Sequence, residues 1–379
     1  MPTPIKVMLV IPTLDRSGAE KQLTLLATGL PRDEFDVEVV ALTRGGPFAD
    51  VLTQHHIPLT ILQKRKKLDL RALTALRQVI RDHRPDVVHT WLFAANAYGR
   101  WAAGKNPSPK IVVSERCVDV WKSRWQLWVD RRQFPRTEHL VGNSSSVAEY
   151  YRGLGFPAER MSVIPNGIVC PALPTDEERE TIRQSLLKEL ALPSGTRLVA
   201  YIGRIAPQKR LRDLIWAFEL LRQIVPSLKF VIVGGGPERA DLEQFARDMR
   251  VDDDVLFLGH RDDVSRLLPA VTLFWLASDF EGQSNSVMEA MAAGLPVVVS
   301  DIPPNRELVT DQETGMLFPV GATKELVTAA KKILDDDQLA RRLGAAARAR
   351  MENDFSVTKM VAAYADLYRR VHNQPRANR

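Results

Sequence analysis

Two glutamates, Glu281 and Glu289, bracket a short polar stretch at 284–286 within the segment FEGQSNSVMEAMAAGLPVVVSD (280–301). The polar stretch precedes small apolar residues and has the character of a helix start. Backbone N–H groups at the start of a helix lack intrahelical partners and bind anions such as phosphate. Carboxylates beside such a site suit hydroxyl groups better than phosphate. A molecule that combines phosphate with hydroxyl groups is a nucleotide sugar, and this segment suggests that class of ligand.

Three apolar segments with the character of strands end in residues that suit such a ligand. Arg204 and Lys209 follow RLVAYIG (197–203), and two cations in such a loop can hold a diphosphate. Gly235 follows KFVIVG (229–234), where glycine permits close approach of the backbone to a planar ligand. The segment with the two glutamates follows VTLFWLAS. Because ligands of parallel α/β sheets bind at the carboxyl ends of the strands, we expect these groups to share one site.

Short β-branched strands alternate with helical segments in two series, before and after a proline-containing linker at 166–195. Such strands between helices are typical of a parallel sheet that is buried on both faces. The sequence therefore predicts an α/β fold of two doubly wound, Rossmann-like domains that face a central cleft. The predicted strands are 5–11, 36–42, 58–62, 86–90, 110–114, 139–142 and 161–165, then 197–203, 229–234, 255–259, 271–278, 296–300 and 315–318.

The composition is that of a folded protein with a mildly basic surface. The chain has 379 residues, enough for two domains, of which 45% are hydrophobic and 26% are charged. The net charge of +6 suits an anionic ligand, an anionic lipid or a nucleic acid. Two cysteines, Cys117 and Cys170, form no disulfide framework and favour a reducing cytosol. With no visible secretory signal and no apolar stretch long enough to span a bilayer, we expect a cytoplasmic protein.

Several motifs, in their order and spacing, resemble the carboxy-terminal half of family 4 glycosyltransferases. They are GRIAPQK, VGGGPER, FLGHRDDV and EGQSNSVMEAMAAGLPVVVSD, and RSGAEKQ and VIPNGI in the first half also resemble the family. The resemblance spans nearly the whole chain and implies a retaining enzyme of the two-domain GT-B fold. It implies an acceptor-binding domain at 1–170, completed by a returning helix at 355–371. The implied nucleotide-sugar donor-binding domain is 171–354.

The resemblance also implies roles for individual residues. Arg204 and Lys209 would neutralise the donor diphosphate and stabilise it as a leaving group. Glu281 would bind hydroxyl groups of the donor sugar, and Glu289 those of the ribose. The implied donor-binding residues are Gly18, Asn166, Gly203, Arg204, Lys209, Gly235, Gly259, Arg261, Glu281, Ser284, Asn285, Ser286, Val287 and Glu289, and the implied catalytic residues are Glu281, Lys209, Arg204 and His89.

Three parts of the donor site are implied by backbone position. The N–H groups of residues 285–287 would cap the distal phosphate. The loop near Gly259 and Arg261 would contact the base. Gly18 would approach the sugar and phosphate from the first domain, where Ser17-Gly18 replaces the family's usual Gly-Gly doublet.

The chain departs from the family on the acceptor side. Many relatives carry a histidine just after a strand of the first domain, whereas KIVVSERC places Glu115 and Arg116 there. His89, at the end of the preceding strand, is the other candidate to face the reacting sugar. Histidines after strands are also common as structural residues, and that interpretation stays open for His89.

Simpler interpretations apply to other charged residues. Glu289 is also explained as a first-turn helix residue, and Arg204 and Lys209 as solvated charges. RVDDDV (250–255) mimics an Asp-x-Asp metal site but has the character of a polar turn. We expect no metal and no cofactor other than the nucleotide-sugar co-substrate.

Two basic patches suggest a surface partner. QKRKKLDLR (63–71) contains five Lys or Arg residues, and VWKSRWQLWVDRRQFPR (120–136) combines five with three tryptophans. Trp121, Trp125 and Trp128 have the spacing of one helix face, as in a helix that lies at a membrane interface. The alternative is a helix that packs on the sheet through its tryptophans.

The sequence favours retaining transfer of a hexose or N-acetylhexosamine, from a UDP-sugar rather than a GDP-sugar, to a hydroxyl group. The acceptor would be a glycan, a lipid-linked sugar or a small molecule, and polysaccharide or glycoconjugate biosynthesis the setting. An epimerase or another enzyme on the same scaffold is the alternative. A nucleic-acid-binding protein is less favoured, because no aromatic and basic sheet surface or helix-turn-helix pattern is evident.

Overall fold

The computed structural model describes residues 3–104, 109–118 and 122–375, and the chain divides into two compact units. The first unit contains the chain as far as Gly167 together with the chain from Val357 onwards. The second unit is Ile168–Ser356. Each unit is built on its own parallel sheet.

The strands of both sheets coincide closely with the β-branched runs. They are β1 (Ile5–Thr13), β2 (Phe35–Arg44), β3 (Leu59–Ile61), β4 (Val87–Trp91), β5 (Lys110–Glu115), β6 (His139–Gly142), β7 (Met161–Val163), β8 (Arg197–Ile202), β9 (Leu228–Val233), β10 (Val255–Gly259), β11 (Leu273–Leu276), β12 (Val297–Ser300) and β13 (Met316–Phe318). Three of the strands at sheet edges, β3, β7 and β13, are the shortest of those described, with three residues each.

Helices fill most of the intervals between strands. They are α1 (Gly18–Gly29), α2 (Pro47–Gln54), α3 (Leu70–His83), α4 (Leu92–Ala102), α5 (Arg124–Gln133), α6 (Ser145–Gly153), α7 (Asp176–Glu189), α8 (Leu211–Arg222), α9 (Arg239–Asp248), α10 (Val264–Leu267), α11 (Asn285–Ala292), α12 (Pro303–Leu308), α13 (Thr323–Asp335), α14 (Asp337–Asp354) and α15 (Val357–Asn373). Side chains start several of them: Asp69 accepts backbone N–H bonds at the start of α3, and Asp336 does so for α14.

The strand order places one topological switch point in each sheet. The described order is β3-β2-β1-β4-β5-β6-β7 in the first unit and β10-β9-β8-β11-β12-β13 in the second. The order reverses between β1 and β4, and between β8 and β11. In open parallel sheets a ligand crevice forms at the carboxyl ends of the strands at such a point. The predicted α/β fold with two Rossmann-like domains is confirmed.

The last helix belongs to the first unit, although it lies at the far end of the chain. Tyr364 and Tyr368 of α15 are buried in the same core as Leu9 of β1 and Leu23 of α1. In the second unit one continuous core lies around the sheet, and β12 is buried at every position. Burial on both faces explains why these strands are almost entirely apolar.

Candidate functional site

Two loops meet at the switch point of the second unit, because β8 pairs directly with β11. β8 leads into Gly203, Arg204 and Lys209, and β11 leads into Ser278 and Glu281. The carboxyl ends of two adjacent parallel strands therefore bring together the cations and one of the carboxylates that the sequence singled out.

Lys209 and Glu281 are paired at this point. Lys209 Nζ forms an ion pair with Oε1 of Glu281, and the two side chains are only 14% and 9% exposed. The Ser278 hydroxyl donates a hydrogen bond of 2.7 Å to the same Oε1. Because the pair is largely shielded from water, its attraction is stronger than that of a surface ion pair. Within the described residues, the other oxygen of Glu281, Oε2, has no hydrogen-bond partner.

The loop after β8 is held by a buried tyrosine. The Tyr201 hydroxyl donates a hydrogen bond of 2.8 Å to the backbone carbonyl of Arg204. Burial raises the pKa of Tyr201 well above its usual value, and the nearby Glu281 carboxylate adds to the rise, so the hydroxyl keeps its proton. The Arg204 side chain is exposed and, in the part of the chain that the structure describes, makes no hydrogen bond or ion pair. Its charge is therefore available at the mouth of the site.

The glycines after β9 serve packing as well as ligand access. A Cβ atom on Gly234 would lie 2.0 Å from the carbonyl oxygen of Gly203, and one on Gly236 would lie 1.9 Å from that of Ile205. These two glycines let the turn pack directly against the loop after β8. Gly235 differs, because the nearest atom to its Cβ position is 3.9 Å away. Of the three, Gly235 is the one with room for a ligand beside it.

A chain of buried polar groups extends behind Glu281. The Ser300 hydroxyl at the end of β12 donates to the backbone carbonyl of Ser278 at 2.7 Å. Asn305 Nδ2 in α12 donates to the backbone carbonyl of Ser300 at 2.8 Å. All three residues are fully buried. Sequence reasoning missed this set, whose members are small polar residues separated by up to 27 positions.

The first turn of α11 lies just beyond Glu281 in the chain. Ser284 is the N-cap: its hydroxyl accepts the Val287 N–H at 3.5 Å and lies 3.2 Å from the Ser286 hydroxyl. The predicted helix start is therefore confirmed. Backbone N–H groups in the first turn of a helix lack intrahelical carbonyl partners, so this end of α11 suits an anion. Glu289 lies one turn further along the same helix and is half-buried.

Arg261, expected near the base, is bound by carboxylates. Its guanidinium pairs with Glu189 at 2.5 Å and with Asp263 at 2.7 Å. These hydrogen bonds raise the pKa of Arg261 above its usual value, so the guanidinium stays charged. Gly259, which ends β10, has a φ of 68°, a conformation that favours glycine. A base contact by Arg261 would have to share the guanidinium with these partners.

His89 lies in the core of the first unit and not at a strand end. Its Nδ1 is 2.6 Å from the Tyr368 hydroxyl, and its Nε2 is 2.8 Å from the Ser114 hydroxyl. The side chain is fully buried. Burial, with a smaller contribution from the charge of Arg116, lowers the pKa of His89 well below its usual value. The expectation of a catalytic, acceptor-side histidine at a strand end is therefore corrected, because one ring nitrogen contacts the last helix and the other contacts β5 inside the core.

Arg116 holds the segment that ends the first unit. Its guanidinium donates to the Asn166 side chain and to the Tyr364 hydroxyl, and it stacks 4.6 Å from the Trp91 ring. Burial lowers the pKa of Arg116. Gln22 of α1 fixes the next residue by two hydrogen bonds to the Gly167 backbone. Asn166 and Arg116, expected in donor and acceptor roles, are therefore bound to each other.

Glu115 belongs to a buried cluster of four charges that sequence reasoning missed. Lys122 lies 3.4 Å from Glu115 and 2.9 Å from Asp130, and Asp130 pairs with Arg100 at 2.7 Å. Asn96 donates a further hydrogen bond of 3.0 Å to Glu115. The two positive and two negative charges balance, which offsets the cost of burial. The Lys122 side chain is 0% exposed, so this lysine is not part of a basic surface.

The helix start at Gly18 includes a buried carboxylate. Glu20 accepts hydrogen bonds from the Ser17 hydroxyl and, at 3.2 Å, from the Thr13 hydroxyl. Burial raises the pKa of Glu20 above its usual value. Gly18 itself is exposed at the start of α1, beside the switch point of the first sheet. Ser17 is thus a partner of Glu20, a role that glycine could not fill.

The tryptophans of the patch 120–136 are on the surface where the structure describes them. Trp125 and Trp128 of α5 are 58% and 59% exposed, which excludes the fully packed helix for these two residues. Trp125 meets the ring of Phe93 edge-on at 5.8 Å. Trp121 lies outside the described residues.

Neither a metal-binding cluster nor a membrane-spanning helix is found among the residues that the structure describes. They contain no group of three or more His, Cys, Asp or Glu side chains that could hold a metal ion. None of their helices has both the length and the apolar character needed to cross a membrane. Asp254, in the Asp-x-Asp sequence, instead pairs with Arg222 and Lys229.

Two protein families match consecutive parts of the chain. The family described as Glycosyltransferase Family 4 matches residues 16–171, and Glycosyl transferases group 1 matches residues 182–350. The first match lies in the first unit apart from its last four residues, and the second lies wholly in the second unit, with the Lys209–Glu281 pair inside it.

Individual relatives match the chain at low identity over different shares of its length. UDP-Gal:alpha-D-GlcNAc-diphosphoundecaprenol alpha-1,3-galactosyltransferase of Escherichia coli is 26% identical over 357 residues, or 89% of this chain and 90% of the relative. N-acetyl-alpha-D-glucosaminyl L-malate synthase of Bacillus anthracis is 31% identical over 183 residues, 48% of each chain. The crystal structure of Anabaena HepE with UDP-glucose superposes with a TM-score of 0.84, 23% identity and coverage of 97% of this chain and 100% of HepE. That likeness establishes a shared fold.

Proposed function

Because the chain belongs to glycosyltransferase family 4, we propose that it transfers a hexose or N-acetylhexosamine from a UDP-sugar, with retention of configuration, to an acceptor hydroxyl. The observation that carries the proposal is the Lys209–Glu281 pair at the switch point of the second sheet. This pair lies where a doubly wound sheet binds its ligand, and it offers one partner for phosphate and one for hydroxyl groups.

The pair explains how the site responds to its donor. In the structure Lys209 and Glu281 neutralise each other. A bound nucleotide sugar brings a diphosphate, which competes for Lys209, and sugar hydroxyl groups, which donate to the free Oε2 of Glu281. The exposed Arg204 supplies a second positive charge. As the bond to the anomeric carbon breaks, negative charge grows on the diphosphate, and these two cations stabilise it.

The start of α11 supplies the remaining contacts in this proposal. Its first N–H groups bind the phosphate nearest the sugar, because a helix N-terminus carries partial positive charge. Glu289, one turn further on, accepts hydroxyl groups of the ribose. Lys209, Arg204 and the helix end then do together what a divalent cation does in other transferases, so we propose that the reaction needs no metal.

The relatives support a UDP-sugar donor. The E. coli relative is named for UDP-Gal, and the HepE structure contains UDP-glucose. The E. coli relative is also named for an acceptor linked to diphosphoundecaprenol, which is a lipid. We extend this to a lipid-linked acceptor here, with the protein on the cytoplasmic face of a membrane. The exposed Trp125 and Trp128 support such peripheral association, since tryptophan favours the interface of a bilayer.

A donor screen tests the proposal directly. Thermal unfolding is measured with UDP-glucose, UDP-galactose, UDP-N-acetylglucosamine and GDP-mannose, because a ligand at 100 times its Kd stabilises the folded state by about 2.7 kcal/mol. The donor that shifts the wild type is then supplied, in radiolabelled form, with lipid-linked and soluble acceptors.

Two matched variants make the screen specific. Glu281→Ala should lose the donor shift and transfer, whereas Glu325→Ala, which removes an exposed glutamate from the first turn of α13, should keep both. The proposal fails if no nucleotide sugar shifts the wild type, or if Glu281→Ala transfers sugar as the wild type does.

A further inference from the structure

The two basic patches of the first unit meet at one cavity. Its volume is about 510 Å³, and its lining includes Leu68 and Leu70 of the patch 63–71 and Arg136, the last residue of the patch 120–136. We propose that this cavity, the α3–α4 cavity, binds the phosphate headgroup and upper acyl chain of an anionic phospholipid. The proposal deepens the membrane association suggested above and rests on it.

The lining of the cavity combines apolar side chains with two arginines. Leu73 of α3, with Tyr98 and Trp101 of α4, contributes apolar surface. Arg77 and Arg136 contribute the cations. Apolar walls suit an acyl chain, and guanidinium groups bind phosphate through two parallel hydrogen bonds.

The one carboxylate in the described lining is engaged by backbone N–H groups. Asp69 accepts backbone N–H bonds from Arg65 at 2.9 Å, Arg71 at 3.0 Å and Ala72 at 3.3 Å. The first of these lowers the pKa of Asp69, with smaller contributions from the others, so the carboxylate stays ionised and its oxygens are engaged at the start of α3. The net charge of the patch 63–71 is strongly positive, with five Lys or Arg against this one acid.

Tyr98 of α4 holds the basic patch 63–71 in place through the backbone of Asp69. The buried Tyr98 hydroxyl accepts the Asp69 N–H at 2.6 Å and lies 3.3 Å from the Asp69 carbonyl, to which it donates. Lys64 sits over the Tyr98 ring at 5.4 Å. The loop is thereby held with Leu68 and Leu70 both 66% exposed. Two exposed leucines close together among lysines and arginines form a small apolar patch that suits a partner with both apolar and anionic parts.

A bilayer surface accounts for all of these features together. A soluble phosphate compound would use the arginines and leave the leucines exposed. A nucleic acid would favour stacked aromatic rings over leucines. In an anionic leaflet, the leucines and the apolar lining of the cavity would contact acyl chains, and the cations would contact the headgroups. Trp125 and Trp128, on the helix that precedes Arg136 in the chain, are also exposed and suit the interface of a bilayer.

Flotation with vesicles of phosphatidylglycerol and phosphatidylcholine tests the surface. The double variant Arg77→Gln with Arg136→Gln should bind phosphatidylglycerol vesicles about tenfold or more weakly, since each cation near an anionic leaflet contributes about fivefold. The matched control is Arg81→Gln with Arg247→Gln, two arginines outside the cavity that each donate to a glutamine side chain. The control should lose less than threefold.

Quenching of tryptophan fluorescence tests the cavity itself. Vesicles with brominated acyl chains should quench wild-type fluorescence, and Trp101→Phe should remove part of the quenched signal. Trp216→Phe, a half-exposed tryptophan of the second unit, should leave it unchanged. The variant Leu68→Ser with Leu70→Ser should release the protein from vesicles with an unaltered unfolding midpoint, because both side chains are already exposed.

The outcomes separate this proposal from the proposed reaction. Hydrolysis of the donor without acceptor is followed in every variant. If the cavity variants lose vesicle binding but still hydrolyse the donor, the result supports lipid binding at the cavity. If the wild type does not hydrolyse any donor, that result contradicts the proposed reaction and leaves the vesicle measurements unaffected. Equal weakening by both arginine pairs, no quenching of Trp101, or stronger binding to RNA or to an acidic protein than to vesicles would overturn the proposal.

Discussion

Ser278 Oγ lies 2.7 Å from Glu281 Oε1 and donates a hydrogen bond to it, while Lys209 forms an ion pair with the same oxygen. Ser278 is in turn fixed through its carbonyl by Ser300, and Ser300 by Asn305. One carboxylate oxygen is therefore tied to the interior of the second unit, and its orientation is set before any ligand binds. A preorganised group of this kind costs little reorganisation during reaction.

Ser278→Ala should lower the rate of transfer at saturating donor about tenfold, because a hydrogen bond to a charged group contributes about 1.5–3 kcal/mol and only part of it acts on the reaction. The unfolding midpoint should change little, since the hydroxyl is small and the ion pair remains. Steady-state kinetics and urea unfolding measure the two effects. A folded Ser278→Ala protein with wild-type kinetics would show that the serine does not position Glu281.

Lys209→Ala should reduce the transfer rate by about two orders of magnitude or more, as expected for the loss of one charge-stabilising donor. The control is Lys331→Ala, which removes an exposed lysine that pairs with Asp335 in α13. The control should keep its rate, because its ion pair lies outside the site. Near-normal turnover of Lys209→Ala at saturating donor would contradict the diphosphate role.

The arrangement at the second-unit site was largely predictable from the sequence. Gly203, Lys209 and Glu281 follow apolar strands, and parallel sheets place such strand ends at one edge. The sequence does not give the order of the strands, so it did not show that β8 and β11 are direct neighbours. The roles of Gly234 and Gly236 also depend on contacts with other loops. A glycine that avoids a backbone clash and one that admits a ligand look the same in a sequence.

The candidate residues of the first unit were harder to interpret, because several of their contacts are with residues far away in the sequence. His89 is buried by Tyr368, which lies 279 positions away. Lys122 is a cation in a basic and aromatic segment, yet it is buried against Glu115 and Asp130. Local pattern identifies a charged residue but not the partner that neutralises it. Trp125 and Trp128 contrast with Lys122, because they are apolar residues that are exposed. Their spacing on one helix face was compatible with either a buried or an exposed position.

Tyr368→Phe should lower the free energy of unfolding by about 1–2 kcal/mol, because it removes the hydroxyl that meets His89 Nδ1 in the core. Transfer kinetics of the folded protein should stay unchanged if His89 has only this structural role. Urea unfolding and steady-state kinetics distinguish a structural role of His89 from a catalytic one. A large fall in turnover without loss of stability would return His89 to the catalytic candidates.

The stability of the first unit should fall in mild acid because of two buried histidines. Burial lowers the pKa of His139 to about 4, with smaller contributions from Arg370 and Arg160, and burial also lowers the pKa of His89 well below its usual value. Below about pH 6.5 the unfolded chain binds protons that the folded chain does not, so the stability present above that pH is lost as the pH falls. Each histidine adds a slope of up to about 1.4 kcal/mol per pH unit.

Urea unfolding at pH 7, 6 and 5 measures this slope. His139→Gln should flatten it, because glutamine does not titrate and can still reach the Ser162 hydroxyl, which His139 contacts at 3.0 Å. An identical slope in the wild type and in His139→Gln would show that this histidine is not protonated on unfolding in that range.

The product should have the same anomeric configuration as the donor, and its formation should not require a divalent metal. Retention is expected if the acceptor oxygen attacks from the face that the diphosphate leaves, with Lys209 and Arg204 stabilising the departing charge. An α-linked UDP-sugar should then give an α-linked product, which the coupling constant of the anomeric proton reports. Transfer should continue in EDTA, because the two cations and the start of α11 neutralise the diphosphate without a metal. A β-linked product would exclude retention, and activity that disappears in EDTA and returns with manganese would show that these groups do not suffice.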